Sequence, residues 1–110
     1  MDGYIQVSTT TEKREDAERI AAALVESRLA ACVQILGPMT STYRWKGRIE
    51  TAGEWLCLAK SRRENYGALE EAIRKLHPYE TPEIVATDIT AGSRDYLGWL
   101  REQVAEPAGE

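Results

Sequence analysis

The chain has no phenylalanine, a single histidine and two cysteines in 110 residues. It also has no run of Lys or Arg longer than the pair Arg62-Arg63. Each shortage excludes something. Two cysteines, both in apolar segments (Cys32 and Cys57), suit reduced, buried thiols in a cytoplasmic protein rather than a disulfide framework. They are also too few for an iron–sulfur cluster. A net charge of −4 and a pI of about 5.1 argue against a nucleic-acid partner. The longest apolar run, Ile20 to Val25, is far too short to cross a bilayer, and Met1-Asp2-Gly3 does not resemble a secretory leader. Without phenylalanine, every aromatic ring in the chain belongs to Tyr or Trp and carries a polar atom, as is common at interfaces and pockets. G-x-S-x-G, P-loop and G-x-G-x-x-G motifs are missing too.

What is present reads as one domain over 1–110 with a frayed tail at about 106–110. Tyr4 to Ser8 alternates as a strand. A helix runs from about Glu12 or Lys13 to Ser27, with Ala17, Ile20, Ala21, Leu24 and Arg28 on one stripe and Val25 beside them. Leu29 to Leu36 is a second strand, broken at Gly37-Pro38 and resumed from Thr40 to Trp45. Lys46-Gly47 is a turn. Arg48 to Thr51 pairs back, Ala52-Gly53 marks another break, and Glu54 to Lys60 continues. A second helix spans about Arg63 to Leu76, Ile84 to Ile89 is a strand, and a third helix ends near Val104. The expected fold class is α+β: a ferredoxin-like βαββαβ sandwich with an extended hairpin and an extra C-terminal helix. A sheet with helices on one face should alternate apolar and polar residues, yet Leu29–Leu36 and Trp55–Ala59 are apolar on both faces. The third helix can shield only part of that second face, so a partner subunit in a closed ring is expected.

The densest chemistry lies in Leu76-His77-Pro78-Tyr79-Glu80-Thr81-Pro82-Glu83-Ile84. Proline fixes its own φ and pushes its predecessor out of the helical region, so the helix must stop there and a stiff loop must follow. Residue types alone favour His77 as a cap of that helix, with metal binding as the alternative. Cys32, His77, Glu80 and Glu83 are the candidate metal ligands, a thiolate and an imidazole suiting copper or zinc. Lys60 ends an apolar strand and reads as a rim lysine. Tyr43 and Trp45 share one face of the hairpin and read first as interface packing. His77, Tyr79 and Glu83 could instead serve a small enzyme as acid and base. A non-catalytic interaction module is the third reading.

Leu29-Ala30-Ala31-Cys32-Val33, then Ser41-x-Tyr43-x-Trp45-x-Gly47, Glu54 and Lys60 around a strand, His77-Pro78-Tyr79-Glu80 with Pro82-Glu83-Ile84, and Tyr96-Leu97-x-Trp99 occur in that order. This set resembles the CutA family of divalent-cation tolerance proteins over about residues 4–101. The resemblance implies a ferredoxin-like homotrimer that binds divalent metals, copper above all, and is not an enzyme. It also implies a likeness to P-II-type signalling proteins, and hence ligand sensing. On this resemblance Cys32, His77, Glu80 and Glu83 are carried over as metal ligands, and Tyr43, Trp45, Lys60, Tyr79 and Trp99 as the lining of a cleft between subunits.

Overall fold

The computed structural model describes residues 3–106. The elements are β1 (Tyr4–Thr11), α1 (Arg14–Glu26), β2 (Cys32–Trp45), β3 (Arg48–Arg62), α2 (Tyr66–Leu76, entered through a 3-10 turn at Arg63–Asn65), β4 (Val85–Ile89) and α3 (Arg94–Gln103). The four strands form one antiparallel sheet in the order β2-β3-β1-β4. This is the ferredoxin-like sandwich expected from the βαββαβ order. Apart from Glu106, the expected tail lies outside the described residues.

One face of the sheet is sealed by α1 and α2. Ile20 and Leu24 of α1 and Leu69 and Ile73 of α2 meet Ile5, Val7 and Ala59 in the main core. Their spacing by three or four puts each pair on a single helical stripe. Val25 falls off the stripe and is exposed.

α1 ends at Glu26, one residue before the expected Ser27, which caps it, so Arg28 lies outside the helix. Arg28 takes a left-handed backbone (φ 62°) and turns its side chain away from its own helix. Its Nε and Nη2 donate to the carbonyls of Gln103 (3.0 Å) and Glu102 (2.7 Å), so it caps the C-terminus of α3 instead. At the other end of α3, Ser93 Oγ accepts from the Tyr96 N–H.

The breaks expected at Gly37-Pro38 and Ala52-Gly53 do not divide the strands. β2 and β3 pair from Cys32↔Lys60 out to Trp45↔Arg48. Gly37 and Pro38 form a bulge opposite Trp55, where a Cβ on Gly37 would sit 2.7 Å from the indole. Ala52 and Gly53 stay in the ladder opposite Ser41 and Thr40, because cross-strand pairing outweighs local composition. Lys46 and Gly47 (φ 52° and 79°) close the hairpin with the two left-handed residues a tight two-residue turn requires. The hairpin projects from the sandwich: the molecule is 43 Å long with a radius of gyration of 14.6 Å, against about 13 Å for a compact chain of this length.

The second sheet face follows from the register. It carries Cys32, Gln34, Leu36, Tyr43 and Trp45 from β2, and Glu54, Leu56, Leu58 and Lys60 from β3. α3 covers one end of it, where Leu100 and Val104 pack with Ala31 and Tyr4. The middle is open: Leu36 is 49% exposed and Leu56 and Leu58 are only half-buried.

Candidate functional site

His77 ends α2, and Pro78 holds it in an extended conformation (φ −81°, ψ 134°). Its ring is 8% exposed and both nitrogens are engaged. Nε2 lies 2.7 Å from the Thr10 carbonyl, which can only accept, and Nδ1 accepts from the Tyr79 N–H at 3.1 Å. These partners fix a neutral imidazole protonated on Nε2. The Tyr79 ring packs against His77 at 4.6 Å, and its hydroxyl donates to Glu54 Oε2 at 2.8 Å. Burial pushes the Tyr79 phenol well above its ordinary range, and the hydrogen bond to Glu54 and its charge add to the effect.

Glu54 is itself only 8% exposed, and no ion pair joins it to a cation among the described residues. It opens onto a cleft of about 340 Å³. Tyr43 and Trp45 from the hairpin and Tyr79 from the loop form its aromatic walls, while Glu80, Thr81 and Glu83 edge it. The cleft therefore combines carboxylates with π-faces.

A second cluster stands at the other end of the same sheet face. Cys32 Sγ lies 3.6 Å from the Tyr96 hydroxyl, and Tyr96 packs on Trp99 with ring centroids 5.5 Å apart. Cys32 pairs across the ladder with Lys60, whose Nζ donates to Gln34 Oε1 at 2.6 Å. The contact with Cys32, then burial, raises the Tyr96 phenol. Cys57 is on the opposite face, buried against Ala17.

The structure thus brings together Tyr43, Trp45, Tyr79, Glu80 and Glu83 of the residues expected from sequence. It places Cys32, Lys60 and Trp99 elsewhere on the chain. Glu54 carries the cleft's buried charge, yet sequence reasoning gave it no role. Its signal was a carboxylate in alternation with Leu56 and Leu58, on the face that should be apolar.

Residues 5–103 match the family model for the CutA1 divalent ion tolerance protein. The chain belongs to the CutA1 family. It is 49% identical over 96 residues to the divalent-cation tolerance protein CutA of Thermus thermophilus, an alignment covering 87% of this chain and 93% of that one. The solved structure of the Cut A1 protein from that organism aligns with a TM-score of 0.90 at 46% identity, covering 93% of this chain and 99% of the other. Human protein CutA is 41% identical over 98% of this chain, which spans 63% of the human protein's length. The Archaeoglobus fulgidus CutA structure, described as that of a periplasmic protein, aligns at a TM-score of 0.90 and 37% identity over 93% of this chain and 99% of that one.

Among the described residues no group of three or more His, Cys, Asp and Glu side chains is poised around a common point. His77 has spent both ring nitrogens on backbone groups, and Cys32 is at the far end of the sheet from Glu80 and Glu83. No helix is long and apolar enough to cross a membrane, among the described residues.

Proposed function

We propose that this CutA1 chain acts as a homotrimer that binds a divalent cation, copper first among them, and serves metal tolerance or a P-II-like ligand-sensing role without catalysing a reaction. The observation that carries this reading is the layout of the second sheet face. It has the single Cys32 thiol at one end, a carboxylate cleft at the other and half-covered Leu36, Leu56 and Leu58 between. Apolar strand surface of this kind marks an interaction face. Three copies arranged in a ring would cover it. The exposed hairpin, with Ile49 at 68% exposure, supplies a further arm for that contact. Copper is favoured because Cys32 offers a soft ligand, with carboxylates as the harder partners. The two unbridged cysteines support a cytoplasmic setting.

The test is a copper titration followed by native mass spectrometry, which reads assembly and stoichiometry together. The expected result is a trimer that takes up copper, and a Cys32→Ser trimer that takes up less. Unchanged uptake by the Cys32→Ser protein would remove Cys32 from the site. Uptake by a lone chain would remove the need for assembly.

A further inference from the structure

Glu54 poses an electrostatic problem that the divalent-cation reading does not solve. A carboxylate more than nine-tenths buried is strongly disfavoured unless a cation or several donors compensate it. Glu54 has one donor, the Tyr79 hydroxyl, and no cationic partner among the described residues. Glu80 and Glu83 at the cleft edge make the local potential more negative still. The cleft is therefore built for positive charge.

Its walls say what kind. A bare divalent ion wants several oxygen or nitrogen ligands converging at about 2.0–2.6 Å, and the described residues do not converge in that way. Tyr43, Trp45 and Tyr79 line the cleft with aromatic side chains, which are poor ligands for a bare metal ion but attract an alkylated ammonium. The chain supplies its own example of this attraction: Lys46 holds its ammonium 5.8 Å from the centroid of the Trp45 ring. A volume of about 340 Å³ is at the lower end of small-molecule pockets and far larger than a single ion needs.

We infer that the cleft walled by Tyr43, Trp45 and Tyr79 binds a small organic ammonium compound, with Glu54 as its counter-ion. The aromatic faces would take the apolar, charged head, and Glu80 and Glu83 would attract it to the mouth. This deepens the ligand-sensing side of the proposed function. It does not rest on copper, because every group it uses is on one chain.

The experiment titrates the full chain, stripped of metal with a chelator, with choline and with its neutral isostere 3,3-dimethylbutan-1-ol. Calorimetry and tryptophan fluorescence report binding. The expected result is saturable choline binding at low ionic strength that weakens with salt, with no binding of the isostere at the same concentrations. Glu54→Gln keeps the size of the side chain and an acceptor for the Tyr79 hydroxyl, and should weaken choline binding at least about tenfold. Trp45→Ala, on the projecting hairpin, should weaken it about two- to fivefold and serves if Glu54→Gln fails to fold. Equal binding of the isostere, or unchanged choline affinity in a folded Glu54→Gln protein, would overturn the inference. So would a cleft already filled by a lysine or arginine of a neighbouring copy, seen as a trimer that binds copper but no choline. That last result would leave the assembly and copper readings standing.

Discussion

His77 joins three segments through backbone groups alone: its own Nε2–H reaches the end of β1 at Thr10, and its Nδ1 holds the loop at Tyr79. Removing the ring leaves a buried carbonyl and an amide without partners and opens a cavity. His77→Ala should therefore cost about 2–4 kcal/mol in chemical denaturation. A histidine that served only as a ligand would cost almost nothing in that assay. Cys57 provides a second prediction at this scale. Burial pushes its thiol up to about 11, from 9.0. The fold holds the neutral thiol, so this group's contribution is complete below pH 9 and fades between pH 9 and 11, by about 1.4 kcal/mol per pH unit. In the native protein at pH 8, a thiol reagent should modify Cys32 and leave Cys57 intact. The sequence already singled out His77 as the sole imidazole beside a proline, and favoured its role as a cap. Its long-range bond to Thr10 crosses 67 positions and has no local signature. Glu54 carried a local signal in its alternation with Leu56 and Leu58, but its partner Tyr79 is 25 residues away and could not be read from it.

At the scale of elements, the connection from α1 into β2 depends on Arg28. Its left-handed backbone is costly for a residue with a Cβ, and its guanidinium offsets that cost by capping α3. Both Arg28→Ala and Arg28→Gly lose the cap, but only glycine relieves the backbone. Thermal denaturation should find the glycine variant more stable than the alanine variant by about 1 kcal/mol. Equal stabilities would mean the φ of 62° carries no strain. The order of strands and helices was readable because the helices carry apolar stripes spaced by three and four, while the strands show either alternation, as at Tyr4–Ser8, or short unbroken apolar runs. The Lys46-Gly47 turn was readable from its residue types. The continuity of β2 and β3 was not. Gly37-Pro38 and Ala52-Gly53 resemble strand breaks locally, and only pairing along the whole hairpin shows one to be a bulge and the other an ordinary rung.

For the whole molecule, the open second face is the dominant feature. The apolar, non-alternating strands announced it, and α3 covers only the end near Tyr4 and Ala31. Sequence patterning could locate that deficit but not the two chemistries at its ends, because strand register decides that Cys32 sits by Lys60 and Tyr96 while Glu54 sits by Tyr79. Leu36 separates a lone chain from an assembly. It is half-exposed on a single subunit, so Leu36→Glu should cost that subunit little, yet it would bury a charge between copies and shift the population toward single chains. Sedimentation equilibrium of the unmodified protein at about 1 μM tests the assembly most directly. The expected mass is about three times that of the 12.3 kDa chain, and a folded species at 12.3 kDa would contradict assembly.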